Sequence, residues 1–568
     1  MKANLFTLFL IVFISAKSQS KYDFPVELPV YLSGSFAELR PNHFHSGIDI
    51  KTRGKTGYKI FSLEDGYIQR IQITLGGNGK ALYVKHDNGQ SSVYAHLEKF
   101  SPRVQKIVKE IQYSEKKFEI RLFPKKNQYR IKKKELIGFS GNTGRSTGPH
   151  LHYEIRDEND YPINPLTYKK EKLEDTIPPI IKSLFYKQLF KNNDGLYEDP
   201  KVGFKKLNFK KIKEKYISDT LKVSAIIGFG IDSFDKMNFT NNIMGINKIE
   251  TFLDKNKIFS MDFNKFSFNE WRHINTFIDY ATYKKNKLTI QKLFTTYYNP
   301  LEMYDRSLGD GSMDLTKLTS LSTNSSHIYK ILLYDFNRNI TEILIPLIIT
   351  ENFNKTIPNE IKDSFYRVER DKEKSIEGKQ FNLRFKKNSF YQNSYLDLTE
   401  REKSMKINSD TIPLLRPFDI EFKLGDNEIK QLYISQLIDN KFNYLGNKIE
   451  NGFLKASSKT LGSFYIKKDS IPPVVEFLNI QNSKWYSNLN KIKIIGYDNE
   501  TGIKSYSAWI NEKWILLEYD IKKNLFFYDF SDRVNSEDIA NNLKVEIKDN
   551  VGNTTTKEIT FYRKLNND

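Results

Sequence analysis

"IGFSGNTGRSTGPHLHYEIRD", residues 137–157, is the stretch on which the fold turns. Its glycines superficially suggest a phosphate-binding loop. That motif needs four residues between its first glycine and a Gly-Lys pair, and then a helix. Here Gly138 lies one residue too far from Gly144, Arg145 replaces the lysine, and Pro149 leads into a strand. Side chains alternate along a strand, so His150 and His152 point to one side while Leu151 turns into the core. One of the two can hold a metal while the other faces a substrate.

Working outward, the chain of 568 residues has eight histidines and no cysteine. Six of the eight fall before residue 153: His43, His45, His86, His96, His150 and His152. Without thiolates, only His, Asp and Glu remain as strong metal ligands, and catalytic zinc typically takes three protein ligands plus a water. In "NHFHSGIDI" (42–50), His45 and Asp49 are four residues apart. Gly47 and the alternating Ile48 and Ile50 argue for extended backbone rather than helix. Four extended residues cover about 13 Å, too far for two ligands each about 2 Å from one ion. The chain is therefore expected to bend at Ser46-Gly47.

Three separated pieces, "HSGIDI" (45–50), "YAHL" (94–97) and "IGFSGNTGRSTGPHLHYEIRD" followed by "PINPL", agree in order and spacing with one family. Over residues 27–168 the chain resembles the M23 (LytM/lysostaphin-type) zinc metalloendopeptidases of bacterial cell walls. The resemblance implies one zinc ion per chain, held by His45, Asp49 and His152, with His96 and His150 as catalytic histidines that do not bind the metal. It implies a small antiparallel β domain with the zinc in a groove, and the peptides of peptidoglycan as substrate. Tyr153 stands where many members have phenylalanine, and residues 100–134 are longer than in compact members. His43 matches no ligand position and is expected as a loop histidine. His86, beside the Asn88-Gly89 hairpin turn, is expected to be structural or exposed.

The remaining sequence sets the frame. "MKANLFTLFLIVFISAKSQS" has a lysine, a short apolar run and then small residues. That pattern predicts a signal peptide over 1–20 and an exported protein, periplasmic or at the cell surface, with no transmembrane helix in the mature chain. The formal charge of +20 is spread along the whole chain, and no basic helix or nucleic-acid motif accompanies it. Nucleic acid is therefore not expected as a partner. A β-rich domain is predicted over 21–170, with one helix started by Ser101 and Pro102 and an apolar face of Val104, Ile107, Val108 and Ile111. "DTIPPII" (175–181) recurs as "DSIPPVV" (469–475), each opening a β-rich stretch through a stiff diproline linker. Strand and turn spacing predicts immunoglobulin-like sandwiches over 175–350 and 469–568, with a further β-rich domain over 352–468. The fold class expected is mainly β: an antiparallel peptidase domain followed by about three β sandwiches. Those sandwiches could engage an envelope partner, cover the groove or serve as spacers. His273 and His327 stand alone and are expected to be ordinary histidines. A non-catalytic regulator of other wall hydrolases, or an adhesion protein with an accessory zinc domain, are the alternative readings. The sequence leaves open the bond cut, the oligomeric state, and which of His96 and His150 is the general base.

Overall fold

The computed structural model describes residues 24–168, 173–192, 195–199, 202–224, 226–314, 326–350, 365–408, 410–425, 430–532 and 539–564. The expected signal peptide, residues 1–20, lies outside them. Among the described residues no helix is long and apolar enough to cross a membrane. Strands dominate throughout, as the sequence predicts.

The N-terminal region is built on an antiparallel sheet. Its main path comprises β1 (Leu32–Gly34), β2 (Ile48–Lys51), β3 (Gly66–Ile73), β4 (Lys80–His86), β5 (Ser91–Leu97), β6 (Ile120–Leu122) and β7 (His150–Arg156). They lie in the order β1-β2-β7-β5-β4-β3-β6. Strand β7 pairs with β2 on one side and β5 on the other, so His152 stands opposite both Asp49 and Ala95. Period-two alternation then sorts the faces. Ile48, Ile50, Leu82, Val84, Leu151 and Tyr153 enter the core, and Asp49, His150 and His152 turn to the other side.

Helix α1 (Pro102–Glu115) has proline in its first turn and buries Val104 and Val108, with Ile107 and Ile111 half-buried. Ser101 does not cap it through its side chain. The residue is buried, its N–H is tied to the Ile137 carbonyl at 3.0 Å, and its own carbonyl accepts from Gln105 N–H at 2.7 Å.

Each later region has two sheets facing across a shared core. In residues 180–349 a five-stranded and a seven-stranded sheet meet, with Phe229 against Tyr329 at 4.2 Å between ring centroids. In residues 374–468 two five-stranded sheets enclose Phe385, Phe418 and Phe464. A four-stranded and a five-stranded sheet meet at Tyr506 and Phe526, 4.7 Å apart, in residues 474–562. The first of these regions carries more than a plain sandwich. Its segment 263–286 holds two short helices, Ile274–Phe277 and Tyr280–Asn286. Strand periodicity fails there because Phe266 and Phe277 face outward from the sandwich, onto Phe36 and Phe44 of the N-terminal region. One contiguous core consequently links the N-terminal region with residues 175–349 and 475–561, while 368–464 has a core of its own.

Candidate metal centre

The bend expected at Ser46-Gly47 brings His45 back over Asp49. His45 Nε2 lies 3.1 Å from Asp49 Oδ1 and 3.0 Å from His152 Nδ1, and His152 Nδ1 lies 2.9 Å from Asp49 Oδ1. All three residues are buried. Gly47 is required for a different reason from turn flexibility. A Cβ there would stand 2.3 Å from the Tyr153 carbonyl oxygen, so the close approach of two backbones demands glycine.

Each ligating atom is aimed by a partner behind it. The Ser35 carbonyl accepts from His45 Nδ1 at 2.7 Å, which leaves a lone pair on Nε2 of the neutral ring. Glu154 Oε1 holds His152 Nε2 at 3.0 Å, turning Nδ1 into the cluster. Glu154 is itself fixed by Ser46 Oγ at 2.6 Å and by Arg156 at 2.6 Å. Arg40 Nη2 donates to Asp49 Oδ2 at 3.0 Å, leaving Oδ1 for the cluster. Such outer partners fix tautomer and ring orientation at metal sites.

His96 and His150 complete the set. His150 Nδ1 faces the Gly148 carbonyl at 2.8 Å, and its Nε2 lies 3.5 Å from Asp49 Oδ1. His96 Nδ1 donates to the Thr143 carbonyl at 2.8 Å, and its ring is 4.9 Å from His150 and 5.8 Å from His152. The His96 backbone is left-handed, with φ +58°, a conformation costly for histidine and typical of positions where function outweighs strain. Its carbonyl anchor comes from the glycine-rich loop. Gly144, at φ +70°, nests where a Cβ would meet Gly79 N at 2.3 Å, which sets Thr143 over His96.

Electrostatics sharpen these roles. Burial opposes ionisation of Asp49, but the imidazoles of His45, His150 and His152 outweigh it and hold the carboxyl well below its usual range. Glu154 behaves alike: burial is overcome by Arg156 and His152, and its pKa falls to about 2. Burial, reinforced by His152 and His150, pushes His96 down to about 3, so this ring is neutral near pH 7. Burial disfavours the charged form of His152, but Asp49 and Glu154 raise its pKa to about 9 in the metal-free chain. One positive charge is thus demanded at the point where His45, Asp49 and His152 converge, and a proton or a metal ion can supply it. Tetrahedral ligands 2.0–2.1 Å from zinc stand about 3.3 Å apart. The observed separations of 2.9–3.1 Å are close to that spacing, so the donor set fits zinc in number, type and size.

The other histidines stay apart from the cluster. His43 Nδ1 bonds the Pro41 carbonyl at 2.9 Å and its ring stands edge-on to Trp271 at 5.7 Å. His86 is buried and structural, tied to Ser92 Oγ at 2.8 Å. His273 lies edge-on to Tyr391, and His327 pairs with Asp254 at 2.9 Å. Sequence reasoning missed Ser35, Arg40, Thr143 and Glu154. Glu154 had a signal, being the next same-side position after His150 and His152 on one strand.

Two imidazoles and a carboxylate converge on a sheet face, with two further imidazoles beside them, a donor set that could hold one metal ion. Residues 43–113 and 119–165 match the model of peptidase family M23. Residues 366–469 match a Zu5-like domain. The chain is similar to a DD-carboxypeptidase/endopeptidase of Neisseria meningitidis serogroup B, 34% identical over 156 residues, 26% of this chain and 30% of that protein. It is also similar to a peptidoglycan DD-endopeptidase of Vibrio cholerae, 30% identical over 111 residues, 20% of each. A zinc-containing peptidase of V. cholerae aligns at 25% identity with a TM-score of 0.19, over 25% of this chain and 38% of that one. The chain therefore spans under a third of the length of these curated relatives.

Proposed function

We propose that the protein is an exported zinc metalloendopeptidase that hydrolyses peptide bonds of peptidoglycan in the periplasm or at the cell surface. The observation that carries this reading is the complete convergence of His45, Asp49 and His152 with His96 and His150 beside them. His45 Nε2, Asp49 Oδ1 and His152 Nδ1 would hold one zinc ion per chain. Zinc bound there would lower the pKa of a water to about 7 and polarise the scissile carbonyl. His150 Nε2, with its Nδ1 turned to Gly148, presents a lone pair able to take the proton of the attacking water. His96 Nε2 is likewise an acceptor in the neutral ring, because Nδ1 faces Thr143. Once protonated, either Nε2 can donate to the oxyanion or pass its proton to the leaving amine. The name of the V. cholerae relative, a peptidoglycan DD-endopeptidase, supports peptidoglycan as substrate. Non-catalytic members of the family that the sequence resembles usually carry substitutions at the first histidine, the aspartate or the H-x-H pair, and none is seen at His45, Asp49, His150 or His152. We assign the β regions an envelope partner rather than nucleic acid.

Zinc content and muropeptide digestion, read by mass spectrometry, test the assignment together. His45→Ala and His152→Ala are expected to lose metal and activity. His96→Ala and His150→Ala should keep zinc and lose about 10²–10³-fold in rate. Full activity under strong chelation, or zinc loss in His150→Ala with retention in His152→Ala, would overturn it.

A further inference from the structure

The repeated "DTIPPII" and "DSIPPVV" place one aspartate at the opening of the first β region and one at the opening of the last. The fold brings two more to each. Asp175 meets Asp235 and Asp335, and Asp469 meets Asp498 and Asp549, each trio with ligand oxygens within 4.8 Å of one another. The two clusters share a plan. Asn339 Nδ2 donates to Asp335 Oδ2 at 2.6 Å and to the Asp175 carbonyl at 3.0 Å. Asn553 Nδ2 does the same for Asp549 Oδ2 at 2.7 Å and the Asp469 carbonyl at 2.9 Å.

They differ in how well their oxygens are satisfied. In the last region, Asp498 Oδ1 accepts from the N–H groups of Glu500, Thr501 and Gly502. Asp549 Oδ1 accepts from Val551, Gly552 and Asn553, and Asp469 Oδ2 accepts from Thr501 Oγ1. In the first, Asp175 takes Ile177 N–H and Asp335 takes Asn339. Asp235 stands in sharp contrast: it is 4% exposed, and its Oδ1 is buried with no hydrogen-bond donor. Among the described residues no lysine or arginine side chain pairs with this trio. Burial, then repulsion from Asp335 and Asp175, pushes the Asp235 carboxyl up to about 8. Beside Asp175 and Asp235 lies a cavity of about 30 Å³, also lined by Asn337, Ser35 and Phe36. That volume exceeds the 10–15 Å³ or so that one water needs.

We propose that Asp175, Asp235 and Asp335 form a calcium site at the joint between the N-terminal domain and the first β region. A buried carboxylate oxygen without a donor is costly, and a divalent cation supplies the missing partner for all three groups at once. Hard oxygen donors suit calcium or magnesium. Calcium accepts irregular cages at 2.3–2.6 Å, whereas magnesium demands near-octahedral geometry at 2.0–2.1 Å and keeps several waters. The small cavity and three convergent carboxylates favour calcium. The ion would tie the linker at Asp175 to strands of the β region, directly behind Ser35, whose carbonyl orients His45. The trio around Asp498 has no buried carboxylate oxygen left without a donor and serves as an internal control.

Full-length protein is stripped of metal, reloaded with one equivalent of zinc, and titrated with calcium chloride by calorimetry and by thermal unfolding. Wild type should bind one calcium per chain and melt at a higher temperature. Asp235→Asn should lose both responses, yet be at least as stable as wild type without calcium, because an amide is neutral without taking up a proton on folding. Asp498→Asn should respond as wild type does. Asp175→Asn provides the same reading if Asp235→Asn does not fold. No cation response in wild type, a full response in Asp235→Asn, or equal response to magnesium would overturn the proposal.

Discussion

The N-terminal domain is gripped on two sides by different chemistry. Toward residues 175–349 it offers aromatic rings: Phe36 and Phe44 lie 5.4 and 5.7 Å from Phe266, and Phe44 lies 6.3 Å from Phe277. Toward residues 474–562 it offers lysines. Lys80 Nζ meets Glu518 at 2.8 Å and Lys109 Nζ meets Asp532 at 2.6 Å. Apolar burial is indifferent to pH and salt within the folded range, whereas partly exposed ion pairs respond to both. Both sides mix the two, since Lys265 pairs with Asp157 on the first and Tyr113 stands edge-on to Trp514 at 5.3 Å on the second. The lysine–carboxylate pairs around Glu518 and Asp532 nonetheless make the second the more adjustable.

The largest effect should come from the apolar side. Phe44 is fully buried, and Phe44→Ala is expected to cost about 3–5 kcal/mol in urea unfolding. A cost under about 1 kcal/mol would mean that the aromatic contact is incidental. On the charged side, Glu518→Gln leaves Lys80 and Lys109 without their shared partner, at a cost of about 2 kcal/mol. Part of that loss should return in a Lys80→Met, Glu518→Gln double variant.

Acid separates the two sides without mutation. Burial disfavours the Glu518 anion, but Lys80 and Lys109 outweigh it and hold its folded pKa below 4.5. Its stabilisation is therefore complete above pH 4.5 and fades as the pH falls through the lower folded value. Hydrogen exchange on lowering the pH from 7 to 3 should rise around Lys80 and Glu518 before it rises around Phe44. Simultaneous opening of both sides would erase the distinction. Smallest of all is Lys522, which donates to the Asn142 carbonyl at 2.5 Å from an exposed position. Lys522→Ala should change stability by less than about 1 kcal/mol, measured by the same urea titration.

What the sequence could and could not reveal follows from the range of each signal. The H-L-H strand was legible because alternation is a local property, and the same rule places Glu154 one step further along. The bend at Ser46-Gly47 was legible as a distance contradiction. The demand for glycine there was not, since the Tyr153 carbonyl that forbids a Cβ lies across the sheet. Nothing local marks His96 as left-handed, or Arg40 as the brace of Asp49. Ser101 stands at the start of the helix as its composition predicts and its carbonyl accepts from Gln105 N–H, but its hydroxyl makes no capping bond. Strand alternation gave the mainly β class of the later regions. It did not give the aromatic docking segment, because Phe266 and Phe277 serve a partner surface rather than a period. The repeated Asp-x-Ile-Pro-Pro was visible as a linker. The two companion aspartates of its first copy, Asp235 and Asp335, follow strands about 60 and 160 residues downstream, out of reach of any motif.

Ser35 faces two ways: its carbonyl accepts from His45 Nδ1 at 2.7 Å, while its hydroxyl accepts from Gly245 N–H at 2.8 Å. A chain cut after residue 168 would carry away His45, Asp49, His96, His150 and His152, yet leave behind Gly245, whose N–H holds Ser35. Transplanting the domain into another protein would require transplanting its neighbour's loop as well, and swaps among relatives should be planned with the seam beyond residue 349 rather than at the diproline.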